Sequence, residues 1–303
     1  MQSRPYQREH DYPLVLNLLT SSYQNYQRMY NWSNSHWDRS DFVRKAHLQS
    51  IGDQDWEESA WVWETDQDQL VGVVHLEPGE GICLQIDPDY RFLEDTMFAW
   101  AEARIMVKSP GAPIRGKCST QVFDYDRKRA TVLANRGYTN SGLIGSTYRR
   151  TLNGRLPGMK LPEGYAVHQV RNAGDVASRA ILQKQICGND WTIEIMQLLR
   201  QAPAYRQDLD LVVVSPEGAT VAFCTAWLDD QNRIGEIEPV VVDPHFRRIG
   251  LAGAIVSEIL IRLKRSKARM AYVIAGDELS ENRLWEKMGF DGIDASYVWL
   301  KQT

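Results

Sequence analysis

The sequence predicts a mixed α/β protein made of two tandem domains of similar order. Three observations predict it. Strand-like and helix-like patterns alternate through the second half, with a strand–helix–strand crossover over residues 236–275. A crossover of that kind joins parallel strands. The segment Asn153–Gly164 holds three glycines and two prolines, which marks a connector. Two motifs of the second half also recur, in the same order, in the first. Asp87-Pro-Asp-Tyr-Arg91 lies over Asp243-Pro-His-Phe-Arg247, and Asn135-Arg-Gly-Tyr138 lies over Lys287-Met-Gly-Phe290. The expected division is a domain over 1–153, a linker over 154–164 and a domain over 165–303. The 303 residues fit two domains of ~150 residues each.

The elements of the second half follow from local pattern. Tyr165–Arg171 reads as a strand. Gly174–Ile186 reads as a helix with Asp175 near its start, and Trp191–Gln201 as a second helix ended ahead of Pro203. Leu211–Ser215 and Val221–Leu228 read as strands separated by a Pro-Glu-Gly turn. Gly235–Val242 is the next strand. Leu251–Arg265 carries apolar residues at 251, 255, 259 and at 252, 256, 260, 263, the period of an amphipathic helix. Met270–Ala275 is a strand. Leu279–Met288 is a helix that Gly289 closes, and Tyr297–Leu300 is a last strand. In the first half the repeated Asp-Pro turn again precedes a helix, Leu93–Val107.

Composition excludes several function classes. Lys plus Arg is 35 against 39 for Asp plus Glu, a net charge of −4. No large positive field exists to hold a nucleic-acid backbone. No apolar run approaches the ~18 residues that span a bilayer, and the first residues carry no stretch like a signal peptide. Cys83, Cys118, Cys187 and Cys224 are far apart, which reads as reduced thiols in a cytoplasmic protein. The six histidines show no metal-ligand spacing, so no metal is expected. The ten tryptophans read as an aromatic core or an aromatic-walled cleft.

The most informative stretch is Glu236–Ala252. A strand runs into a turn with two arginines, and Gly250 then opens a helix. The first turn of a helix exposes backbone N–H groups that have no internal partner and carry partial positive charge. Such a terminus binds pyrophosphate. Gly250 lets the backbone approach a phosphate closely, Ala252 keeps the surface small, and Arg247 and Arg248 add cationic donors. Pro239 removes a ladder donor, so the strand should bulge or behave as an edge there. Glu236 and Glu238 project from one face of that strand and suit general-base work on an amine. The alternative for either carboxylate is solvent exposure or a pair with Arg233.

Arg247-x-x-Gly250-x-Ala252 resembles the signature Arg/Gln-x-x-Gly-x-Gly/Ala of the Gcn-five-related N-acetyltransferases (GNAT). The upstream strand, the Asp-Pro turn and Leu284-Trp-Glu-Lys-Met-Gly-Phe290 lie where that family has them. The resemblance covers residues ~165–303 well and ~3–150 weakly, and a tandem pair is similar to the arrangement in mycothiol synthase. It implies a fold of two GNAT-like domains, each a twisted, mostly antiparallel sheet with a parallel pair, flanked by helices. It implies acetyl-CoA as cofactor and transfer of its acetyl group to a primary amine, expected on a small molecule, by direct attack in a ternary complex.

The family's roles fall on these positions. Backbone of Val240, Val241 and Val242 would bond the pantetheine arm. Arg247, Arg248, Ile249, Gly250, Leu251 and Ala252 would hold the pyrophosphate. Asn282 and Trp285 would border the pantetheine and thiol end, with simple core packing as the alternative for Trp285. Glu236 aligns best with the family's basic glutamate, with Glu238 as the second candidate. Trp285 stands where many members place the tyrosine that protonates the thiolate, which leaves Tyr272, Tyr297 or water for that step. In the first half, Phe92, Leu93, Glu94 and Asp95 stand opposite Arg248, Ile249, Gly250 and Leu251. Two carboxylates at a helix start satisfy its dipole themselves, so this domain is expected not to bind acetyl-CoA. Asp190 and Trp191 in the loop after Cys187 suit a cationic acceptor or, more simply, a helix cap and a packed ring. Two alternatives stay open: a non-catalytic acyl-CoA-binding protein, and an acetyltransferase acting on a protein amine. The chain is expected to be a monomer or homodimer with no nucleic-acid or membrane partner.

Overall fold

The computed structural model describes residues 1–51, 59–77, 81–108, 117–188, 191–276 and 279–302, with side chains left out at 43–51, 106–108 and 279–281. The chain forms two compact units, Met1–Trp37 with Gly52–Ser146 and Asp294–Thr303, and Asp38–Ile51 with Thr147–Ile293. These units do not coincide with the two sequence halves. The last strand belongs with the first unit, and a helical segment near residue 40 belongs with the second.

The first unit contains β1 (Gln2–Pro5), α1 (Arg8–Tyr26), the start of α2 (Asn34–Ile51), β2 (Ala60–Glu64), β3 (Leu70–Glu77) and β4 (Gly81–Ile86). A short 3₁₀ turn then leads into α3 (Glu94–Lys108), β5 (Lys117–Phe123), α4 (Arg127–Asn135) and the first residues of β6 (Thr139–Thr151). Its sheet runs β1-β2-β3-β4-β5 and continues into β12 (Gly292–Gln302). β4 and β5 pair parallel at Gly81 and Ser119. β12 pairs antiparallel with β5, from Ser296 opposite Phe123 to Gln302 opposite Lys117. Strand alternation sends Val74, Leu76, Ile82, Leu84 and Ile86 into a core closed by Met97, Phe98, Ala101 and Leu133. This follows from period-two patterning against helices of period 3.6.

The second unit contains β7 (Ala166–Gln169), α5 (Ala173–Cys187), α6 (Ile193–Leu199), β8 (Asp210–Val214), β9 (Thr220–Asp229), β10 (Ile234–Val242), α7 (Leu251–Arg265), β11 (Met270–Ala275) and α8 (Leu279–Lys287). Its sheet order is β11-β10-β9-β8-β7. α5 starts where Asn172 accepts a bond from the Asp175 N–H at 3.0 Å. Asp175 in turn accepts one from the Arg171 N–H at 2.9 Å. α7 spans the residues its periodicity predicts and buries Leu251, Ile255, Val256, Ile259, Leu260 and Leu263 against the sheet. Burying an aliphatic side chain of this size contributes ~1.5–3 kcal/mol, so α7 anchors the unit. α7 links β10 to β11 as the expected parallel crossover.

Sequence patterning did not expose one buried ionic group. Arg179 lies within 3.0 Å of Asp210 and donates to Thr225 Oγ1 at 2.7 Å. Tyr205 donates to the other oxygen of Asp210 at 2.9 Å. Arg179 and Thr225 stand well away from Asp210 in sequence, and the packing of α5 on paired β8 and β9 brings them together.

Candidate active site

The site is built on β10. Its antiparallel pairing to β9 is regular from Ile234 to Ile237, shifts register at Glu238 and Pro239, and resumes at Val240 opposite Cys224. Proline has no N–H to give the ladder, so the strand bulges where Pro239 predicts it. The Trp227 indole N–H closes the gap with a bond to the Glu238 carbonyl at 2.9 Å. On the other side, the parallel register with β11 runs from Ile234/Met270 to Glu236/Tyr272. Both strands continue past it, to Val242 and Ala275. The end of β10 thus diverges from β11. Val241 is buried, while Val240 and Val242 are part-buried and lean on the core, so only their backbone can serve a ligand.

After β10, Asp243 accepts a bond from the His245 N–H at 2.9 Å and caps a 3₁₀ turn. Arg247, Arg248, Ile249 and Gly250 are all exposed. Arg248 and Gly250 have φ of 67° and 96°, which turns the chain sharply into α7. No side chain caps that helix. A Cβ on Gly250 would meet nothing within 4 Å. An open, uncapped helix start beside two arginines is the geometry that accepts a diphosphate. Leu251 is buried and offers only its backbone, and Ala252 is part-buried. On α8, Asn282 Oδ1 is buried and has no hydrogen-bond partner among the described residues, an acceptor that suits an amide donor. Trp285 is buried in the core, edge-on to Phe290 with ring centroids 5.3 Å apart. Its side chain serves packing.

The two glutamates are held by a residue that the sequence reading missed. Arg39, on α2, reaches Glu238 with both terminal nitrogens, Nη1 at 2.6 Å from Oε1 and Nη2 at 2.9 Å from Oε2. Nη2 also lies 3.4 Å from Glu236 Oε1. Tyr272 donates its hydroxyl to Glu236 Oε2 at 2.9 Å. Glu236 is buried, whereas Glu238 keeps 37% of its side chain exposed. Both carboxylates therefore face one guanidinium, and the expected alternatives of open solvent or Arg233 do not describe Glu236. Burial opposes the charge on Arg39, but Glu238 and then Glu236 raise its pKa overall. Nothing local in the sequence marks Arg39. Its helix lies almost two hundred residues before β10. The neighbouring Asp38, which accepts a bond from the Ala204 N–H at 2.9 Å, fixes the same turn of α2.

The corresponding turn in the first unit is chemically closed. Arg91, which lies over Arg247, is buried and donates to Glu94 and Asp126, each at 2.6 Å. Arg129 lies 3.4 Å from the same Glu94 oxygen. A protein carboxylate thus occupies the start of α3, where α7 is open. In the same unit, His75, Glu77 and Cys83 bring donor atoms within 4.8 Å of one another through the β3–β4 pairing, although no sequence spacing pointed to such a group. In the second unit, Cys187 is exposed at the end of α5, and partial burial raises its thiol pKa. Trp191 packs on the core near α5, and Asp190 lies outside the described residues. Among the described residues, no helix is long and apolar enough to cross a membrane.

Residues 180–290 match the acetyltransferase (GNAT) family. No curated protein sequence matches the chain. A tandem GNAT protein from the clavulanic acid biosynthesis pathway superposes with a TM-score of 0.71 at 14% identity, covering 99% of this chain and 98% of that one. A Gcn-five-related N-acetyltransferase from Sphaerobacter thermophilus gives a TM-score of 0.67 at 16% identity, covering 99% and 95%. The N-myristoyltransferase of Saccharomyces cerevisiae, solved with bound myristoyl-CoA, gives 0.60 at 13%, covering 99% and 79%. The match to the GNAT family model is confined to residues 180–290, and the chain as a whole shares the fold of the tandem GNAT protein.

Proposed function

We propose that the protein is an acetyl-CoA-dependent N-acetyltransferase acting on a primary amine of a small molecule. The observation that carries this reading is the divergence of β10 from β11 directly ahead of an open, uncapped helix start. Residues Arg247 to Ala252 would hold the pyrophosphate through backbone N–H groups and the two guanidinium groups. Backbone of Val240 to Val242 and Asn282 Oδ1 would hold the pantetheine arm. When bound, acetyl-CoA supplies an activated thioester. An alkylammonium has a pKa near ~10.4 and must lose a proton before it can attack. Glu236, directly or through water, accepts that proton. Tyr272 bonds Glu236 and so places a hydroxyl on this proton path.

The first unit takes no cofactor in this reading, because Glu94 fills its helix start. Titration of the protein with acetyl-CoA by calorimetry should therefore give one site per chain. A screen of amines should then find an acceptor, and Glu236→Gln should keep cofactor affinity while lowering turnover at least a hundredfold. Two sites per chain would mean that the first unit is also open, and no binding would remove the reading. One observation favours a second reading, a non-catalytic acyl-CoA binder: Arg39 occupies oxygens of both carboxylates. Cofactor binding without turnover on any amine would select it.

A further inference from the structure

The bulge in β10 changes which way its backbone faces. Asp243 donates its N–H to the Val221 carbonyl at the start of β9, at 2.9 Å. Backbone groups of an antiparallel strand face the partner at every second residue. Val241 therefore also faces β9, and Val240 and Val242 face away from it. Glu238 faces β9 as well, since its carbonyl accepts the Trp227 indole N–H at 2.9 Å. Glu238 and Val241 are three residues apart and would face opposite ways in a regular strand. The extra residue of β10, taken up between Ile237 and Val240, reverses the phase. This reversal directs the N–H groups of Val240 and Val242 to the side where pairing with β11 has ended.

One buried network is aimed at this bulge. Thr225 is the β9 residue opposite the extra one, between Ala226 and Cys224. Its hydroxyl donates to Asp210 Oδ1 at 2.9 Å and accepts from Arg179 Nη2 at 2.7 Å. The other Asp210 oxygen takes the Tyr205 hydroxyl at 2.9 Å. Tyr205 in turn stands edge-on to Trp227, with ring centroids 6.2 Å apart. Trp227 and Asp210 are both buried. An indole N–H is a donor only, and the Glu238 carbonyl gives it an acceptor at the point where the ladder is interrupted.

We propose that Trp227 is a positioning residue for the cofactor: it holds the Glu238 carbonyl on the β9 side, fixes the extra residue of β10 in place, and so keeps the Val240 and Val242 N–H groups turned toward the pantetheine arm. Tyr205, standing on the buried Arg179–Asp210 pair, holds the indole. A strand that slips by one residue exchanges its two faces. Loss of the indole bond therefore costs the pantetheine contacts. It spares the open start of α7, which the chain reaches only after the Asp243 turn. The inference rests on the acetyltransferase reading for the identity of the ligand, but its test does not use turnover.

The test is calorimetric titration of acetyl-CoA into wild type, Trp227→Phe, Tyr205→Phe and Ile259→Val, with ADP measured as a competitor in each. Trp227→Phe keeps an aromatic ring and removes the N–H. Its acetyl-CoA affinity should fall at least tenfold. The competition constant of ADP, which carries a diphosphate and no pantetheine arm, should stay within twofold of wild type. Tyr205→Phe should weaken acetyl-CoA at least threefold with the same selectivity. Ile259→Val trims the buried face of α7 and controls for lost stability, so both ligands should stay within twofold. A residue that only packs the core would move both ligands together or neither. Unchanged acetyl-CoA affinity in Trp227→Phe, an equal loss of ADP, or a selective loss in Ile259→Val overturns the proposal. If Trp227→Phe does not fold, Tyr205→Phe decides alone by the same criterion. Wild type that binds no acetyl-CoA removes the acetyltransferase reading and the positioning role with it. Wild type that binds while Trp227→Phe is unaffected removes only the positioning role.

Discussion

Gly250 is the position where one substitution separates backbone strain from charge. Its φ of 96° places it in the left-handed region, and a Cβ there would meet nothing within 4 Å. Alanine therefore introduces no clash and costs only the conformational strain, about 1–2 kcal/mol of stability. Glutamate carries the same strain and adds a carboxylate at the open start of α7. A charge about 5 Å from a diphosphate bearing two charges, at an effective dielectric near 40, is opposed by about 3 kcal/mol. Salt reduces this, so the expected loss in affinity is roughly thirty- to a hundredfold. In the first unit the aligned position is Glu94, buried at the start of α3 and paired with Arg91. Calorimetry with acetyl-CoA should thus show Gly250→Ala within about fivefold of wild type and Gly250→Glu weaker by the larger factor. Thermal melts should place the two variants at similar stability. A folded Gly250→Glu that binds like Gly250→Ala would refute the assignment of the anion site to this turn.

Four further outcomes follow from particular contacts. Asp210→Ala leaves Arg179 buried opposite no carboxylate and should cost about 3–5 kcal/mol in urea unfolding. A Cβ on Gly235 would lie 2.6 Å from Leu263 Cδ2, so Gly235→Ala should cost about 1–3 kcal/mol by forcing that side chain aside. Burial opposes ionisation of Asp11, but bonds from Arg4, the Gln7 N–H and His10 outweigh it and lower its pKa. Its folded-state pKa lies below the unfolded one, so its contribution is full above about pH 4 and is lost as pH falls further. Asp11→Asn should flatten that acid limb of the stability curve. Finally, mass mapping after thiol alkylation should find Cys187 labelled first, and Cys224, buried with its thiol pKa pushed well up, last.

The parts of this architecture that are local in sequence were legible there. The bounds of α7 and β11 follow from periodicity alone, and Pro239 announced the bulge. The Asp-Pro turns were visible as a repeat because each caps its own short 3₁₀ turn through the same Asp side chain. Contacts made across the fold were not legible. Arg39 looks like any charge on a polar helix until α2 is seen beside β10. Trp285 carried two readings, a lining residue from its place in a motif or core packing, and its ring is buried against Phe290. Tyr297–Leu300 read as a short strand, yet β12 extends from Gly292 to Gln302. Ser296, Lys301 and Gln302, outside the expected span, pair with β5, so the sheet rather than their own pattern makes them strand.

That pairing has a consequence for how the protein is made. β5 leaves the ribosome well before β12, its antiparallel partner, which lies roughly 170 residues later in sequence. Until β12 has been made, the first unit lacks the strand that pairs with β5, which leaves an edge open to other strands. Completion of this sheet therefore waits on Ser296 to Gln302, and a chain that lacks them exposes the edge of β5.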